Sequence, residues 1–155
     1  MEGSKEVLGE KLIKVVGLQI FDDGSEDKME LITLGNYYQK KQAYYIVYKE
    51  SEISGMQGVT TSIQINPDKV ILNRMGPVEL KQQFEHGVLH RSAYITSYGT
   101  IIMGVLAKEI DVHLTSLGGN ITLKYDLFVE EELLSHNELR INIKEENPHE
   151  SLREN

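Results

Sequence analysis

The sequence predicts an all-β protein, a single antiparallel up-and-down β-barrel of about eight to ten strands. Three observations predict it. Apolar and polar residues alternate over successive runs of strand length, turn-forming residues recur between those runs, and no long stretch carries a sustained helical period. Alternation marks strands because successive side chains point to opposite faces. Short connections favour antiparallel neighbours, since a parallel crossover needs roughly a dozen residues. Such a meander closes into a barrel or folds as a two-sheet sandwich, and closure is favoured because it removes exposed edges.

Taken in order, the N-terminal "EVLGEKLIKVV" has a weak 3.6-residue period broken by Gly9, so residues 3–12 are read as a short helix or turn. The β-branched "IKVVGLQI" that overlaps it reads as a strand. "DDGSED" at 22–27, "QKKQ" at 39–42, "SGMQG" at 54–58 and "NPDK" at 66–69 read as turns, the last with a proline that presets φ. "VTTSIQI" places Val59, Thr61, Ile63 and Ile65 on one face. Further turns are read at Gly76–Pro77, at Gly87, at 97–99, at "LGGN" 117–120 and at "SHNE" 135–138. "ITLKYDLFV" sets Ile121, Leu123, Tyr125, Leu127 and Val129 against Thr122, Lys124 and Asp126, and "LRINIK" repeats the pattern.

A chain of 155 residues is one domain by length, assigned to residues 1–145, with a polar tail over 146–155 expected to be disordered. It has no cysteine, which excludes disulfides, thiolate chemistry and Cys-ligated zinc. The net charge of −8 argues against nucleic acid, whose binding relies on cations neutralising phosphates. Residues 130–155 carry eight acidic and three basic side chains, a solvated edge rather than a ligand site. No segment approaches the roughly 20 apolar residues that span a membrane, and the N-terminus lacks the apolar core of a signal peptide. The expected compartment is the cytoplasm, with neither membrane nor nucleic acid as partner.

The stretch from "GNYYQKKQAYYIVYKE" through "VILNRMGPVELKQQFEHGVLHRSAYITSYGT" resembles the YwiB-like family of small bacterial proteins. The resemblance rests on Gly35 and Tyr37, Tyr48 and Glu50, Thr60 and Thr61, Arg74 and Gly76, Phe84, then Tyr94, Thr96 and Gly99. It continues through "GGNITLKYDL", with Tyr125 and Leu127, and covers roughly residues 10–145. Ala107 departs from the family pattern, where a threonine is expected. The resemblance implies a lipocalin-like (calycin-type) β-barrel and, because the family is uncharacterised, little about function.

Parity supplies the candidate site. Tyr44, Ile46, Tyr48 and Glu50 share one face of their strand, and Val70, Leu72 and Arg74 share one face of theirs. If these faces point inward, a carboxylate and a guanidinium enter the barrel near strand ends, where each needs the other. Thr61 lies on the apolar face of its strand, and Tyr94 shares a face with Val88, His90 and Ser92. An interior holding Tyr48, Glu50, Thr61, Arg74 and Tyr94 can orient a small polar or anionic ligand. The plainer alternative is a structural ion pair closing one end of the barrel.

His86 and His90 would lie roughly 13 Å apart on a continuous strand, unless Gly87 folds them together, and no third ligand is evident. No metal or cofactor is expected. The sequence holds no nucleophile elbow, phosphate loop or His-Glu-x-x-His helix, so an enzyme using Glu50 and Arg74 ranks below a binding protein and below a barrel with a filled interior. "GTIIMGVLAKEI" is apolar on both faces, which predicts a cover from residues 1–12 or from a second copy in a homodimer.

Overall fold

The computed structural model describes residues 4–51 and 56–146. They form ten strands: β1 (Lys5–Phe21), β2 (Glu26–Lys40), β3 (Ala43–Lys49), β4 (Thr60–Ile65), β5 (Lys69–Met75), β6 (Leu80–Glu85), β7 (Leu89–Thr96), β8 (Gly99–Thr115), β9 (Gly118–Val129) and β10 (Glu132–Glu145). No helix occurs among the described residues. Consecutive strands pair antiparallel from β1 to β6 and from β7 to β10, and β1 also pairs with β10 from Lys11↔Glu145 to Phe21↔Ser135. The last gap, between β6 and β7, is bridged by two backbone hydrogen bonds of 2.9 Å between Glu79 and Ile95. The result is a nearly closed barrel.

The interior is built from the alternating apolar positions. Ile13, Val15, Leu31, Ile46, Ile63, Leu72, Phe84, Leu123 and Ile141 are all buried in one cluster. Burial of each such side chain is worth about 1.5–3 kcal/mol. Phe84 and Tyr125 meet edge to face with ring centroids 4.9 Å apart. The Tyr37 hydroxyl donates to the Thr115 carbonyl at 2.7 Å, tying β2 to the end of β8. Lys11 is buried on the inward face of β1 and reaches Glu145 at 3.3 Å.

Three sequence expectations differ from the structure. Residues 5–12 are strand, not helix: Lys5–Leu12 pair along β2 from Lys40 to Leu34. A ready backbone partner outweighs a weak helical period, and Gly9, at φ 107°, absorbs the register shift beside Val7. Residue 3, like 147–155 of the polar tail, lies outside the described residues. "SHNE" is not a turn but part of β10; the turn is Glu130–Glu131, at φ 49° and 72°. These residues tolerate the left-handed region because each is tied down. The Glu130 carboxylate accepts from the Ile102 N–H at 3.0 Å, and Arg91 grips Glu131 at 2.6 Å. The β8–β9 turn is Ser116–Leu117, so Gly118 and Gly119 begin β9.

The two-sided apolar character of β8 has a local explanation. Gly104 is buried because Leu89 from β7 and Phe128 from β9 fold over it from outside. Residues 5–12 are committed to β1, leaving Ile102 40% and Leu133 38% exposed. On β2, only Gly35–Lys40 pair with β3. From Glu26 to Leu34 the other side of β2 has no strand partner among the described residues, and the barrel wall opens there.

Candidate functional site

The site is assembled by strand register. Tyr48 lies opposite Thr61, Thr61 opposite Arg74, and Arg74 opposite Leu80, so one row of inward side chains crosses β3 to β6. Glu50 follows the end of β3, where its N–H still bonds the Val59 carbonyl at 2.8 Å. That bond holds the strand parity for one more step and turns the Glu50 side chain inward, where it is 1% exposed.

Thr61 donates its hydroxyl to Oε2 of Glu50. Arg74 Nε stands 3.8 Å from the same oxygen, an ion pair too long to be a hydrogen bond. Oε1 of Glu50 and Nε of Arg74 are both buried without a hydrogen-bond partner. Tyr48 stands over this pair. Burial, then the charge of Glu50, push its hydroxyl well above the usual tyrosine range, with Arg74 opposing. Tyr94, on β7 opposite Ile101, is half-buried and makes no hydrogen bond or ion pair with these four.

The raised Tyr48 sets a pH dependence. A neutral phenol is favoured inside, so its contribution to stability is complete below the ordinary value of 10.0 and is lost as pH rises past it. Urea midpoints taken from about pH 8 to about pH 11 are expected to fall more steeply in the native chain than in Tyr48→Phe. Equal slopes would show that Tyr48 ionises freely in the folded state.

Beside the row opens a cavity of about 420 Å³. Arg74, Leu72 and Gln82 form one wall; Tyr125, Asn137 and Leu139 form another; Met29, Asp27 and Lys28, from the unpaired side of β2, form the rim. The second wall carries its own chain of hydrogen bonds: Gln19 Nε2 donates to Ser135 at 2.9 Å, and Ser135 donates to Asn137 Oδ1 at 2.7 Å. The Asn137 amide nitrogen turns toward the Tyr125 hydroxyl, and both side chains line the cavity. Burial raises the Tyr125 hydroxyl, while the positive charge of Arg74 acts against it.

Sequence parity places Tyr48, Glu50, Thr61 and Arg74 correctly on inward faces, and the structure brings these four together. It leaves out Gln82, although Gln82 shares parity with Leu80 and Phe84 and was legible on that ground. It leaves out Asn137 and Ser135 because both fall in the segment read as a turn.

Elsewhere, Gly87 at φ 75° forms the tight turn between His86 and His90, and His90 meets Glu85 at 2.9 Å. Among the described residues no group of three His, Asp or Glu side chains is placed to hold a metal ion. On the face of β9 opposite Tyr125, the buried Asp126 is bonded by His136 Nδ1 at 2.6 Å and Lys108 at 3.0 Å. Burial pushes the Asp126 carboxyl up, but those two partners outweigh it and hold the group below its usual range.

A family model described as a domain of unknown function, DUF1934, matches residues 13–141. The chain belongs to this family. It is 31% identical over 113 residues to the "Uncharacterized beta-barrel protein YwiB" of Bacillus subtilis (strain 168), covering 73% of this chain and 78% of that protein. The crystal structure of ywiB protein from Bacillus subtilis superposes with a TM-score of 0.80 at 24% identity, covering 90% of this chain and 93% of that one. The barrel is therefore the family's fold. Ala107, where the family pattern suggests threonine, is buried opposite Tyr125, and its carbonyl accepts the Gly87 N–H at 2.9 Å.

Proposed function

We propose that this protein is a cytoplasmic, non-enzymatic binding protein that holds a small molecule inside its lipocalin-like barrel. One observation carries the reading: Arg74, whose Nε is buried without a hydrogen bond beside the buried Glu50, borders a cavity of about 420 Å³, within the size range of small-molecule sites. Tightly packed interiors leave few polar atoms unsatisfied. A barrel filled by its own side chains would be expected to close this pair with a full set of hydrogen bonds. Catalysis has less support, since Glu50 is tied up by Thr61 and Arg74 and does not line the cavity, where a substrate would have to meet it.

A homodimer through the outer face of β8 accompanies the proposal, on the ground that Ile102 stays partly exposed there, as does Leu133 at the start of β10. Native mass spectrometry on freshly purified protein tests both. A non-covalent small mass on the chain is the expected result, with a dimer at twice the chain mass. Bare chain in every charge state would count against the binding reading, and a monomer alone would remove the dimer.

A further inference from the structure

The chemistry of the ligand is written in what Arg74 lacks. Its side chain is 17% exposed, so it is largely withdrawn from water, yet it donates no hydrogen bond to any described residue. Its one ion-pair partner among the described residues is Oε2 of Glu50 at 3.8 Å, approached through Nε. A guanidinium presents its donors as a planar fork, and a fork engaged at Nε alone leaves its terminal nitrogens open. Arg74 lines the cavity, and Glu50 does not.

The opposite wall also offers a donor. Asn137 spends its carbonyl oxygen on Ser135 and turns one amide N–H toward the Tyr125 hydroxyl, which leaves its second N–H for the cavity, and Gln82 adds a further amide beside Arg74. Converging donors fit an acceptor. Charge limits what kind of acceptor. Asp27 lines the cavity and Glu50 sits directly behind Arg74, while Lys28 is the other cation of the lining; Glu138, also in the lining, is already paired with Arg140 at 2.6 Å. Two carboxylates thus offset the two cations, and a dianion would bring twice the uncompensated charge of a monoanion. A planar monoanion needs only one fork, in the geometry that Arg–carboxylate pairs adopt. The remainder of the wall, Leu72, Met29 and Leu139, is apolar.

We infer that the barrel takes a small monocarboxylate with an apolar body: the carboxylate on the terminal nitrogens of Arg74, between Gln82 and Asn137, and the body against Leu72, Met29 and Leu139. This rests on the binding reading above. Glu50 and Thr61 then act as positioning residues, holding Nε so that the rest of the fork faces the cavity.

Isothermal titration with octanoate, octyl phosphate and octan-1-ol tests it. Octanoate is expected to bind at least about tenfold more tightly than either analogue, the scale of one lost charge-assisted hydrogen bond. Arg74→Lys keeps the charge but loses the fork, and is expected to weaken octanoate by a similar factor while leaving octan-1-ol unchanged. Should Arg74→Lys fail to fold, Glu50→Gln/Arg74→Met removes both charges together and serves the same comparison. Equal binding of octanoate and octan-1-ol, tighter binding of octyl phosphate, unchanged octanoate affinity in the folded variant, or no octanoate binding at all each overturns the assignment. A bound neutral mass in native spectra would then leave small-molecule binding standing, whereas bare chain would remove both.

Discussion

Glu50→Ala is expected to destabilise the barrel by about 3 kcal/mol, read as a fall in the urea midpoint at unchanged slope. The substitution leaves Arg74 charged, mostly buried and without its ion-pair partner among the described residues, and it also strips Thr61 of its acceptor. Removing one partner of a buried pair costs about 3–5 kcal/mol; the cavity beside Arg74 lets water reach the freed cation, which places the effect at the lower end. Glu50→Leu/Arg74→Met, which removes both charges, is expected to recover most of the loss. That contrast separates a cost of isolation from a cost of lost packing. A single variant as stable as the native chain would mean that the Glu50–Arg74 pair adds nothing measurable to the stability of the barrel.

Gly119→Ala is expected to cost more, about 4 kcal/mol or above, or to prevent folding. Gly119 sits at φ 144°, and a Cβ there would lie 1.9 Å from the His113 carbonyl oxygen. The obstacle is backbone of the paired strand, so no side chain can move aside. Gly118 is similar, with a Cβ only 2.3 Å from the Ile143 carbonyl oxygen. Gly87→Ala is the control: its φ is 75° but nothing lies within 4 Å of a new Cβ, so only the left-handed strain of about 1–2 kcal/mol applies. Thermal melts of both variants check the pair. Similar melting temperatures would show that the β8–β9 hairpin relaxes around the methyl group.

Much of this architecture was legible because a barrel strand carries its orientation in its alternation. Tyr48, Thr61 and Arg74 belong to three different strands, yet parity alone predicts that all three turn inward, and the hairpin registers then align them in one row. Glu50 was legible for the same reason, one step past its strand. The far wall was not. Ser135, His136 and Asn137 are residues that favour turns, and local preference read them as one. The long ladder with β1 and β9 keeps them extended, and the true turn falls on two glutamates that no propensity scale selects. The N-terminal strand was obscured in the same way: its partner, β2, lies far along the chain from a short window of helix-like spacing. Apolar residues such as Leu72 and Leu139 show only the alternation of a strand face, and only three dimensions show which of them border space.

The row through Tyr48, Thr61 and Arg74 has a consequence for how the chain folds. Glu50 and Thr61 are 11 residues apart, and successive hairpins bring Arg74 to them with short loops. Pairing Lys11 with Glu145, by contrast, joins points 134 residues apart. Loop closure is entropically cheap for the first and slow for the second. The β3–β6 meander can therefore bring the charged pair together while it is still bathed in water, when meeting costs little. Docking of β1 onto β10 then seals it from solvent. In this sequence of events the ion pair is desolvated only after it has formed, and neither charge need enter the interior alone.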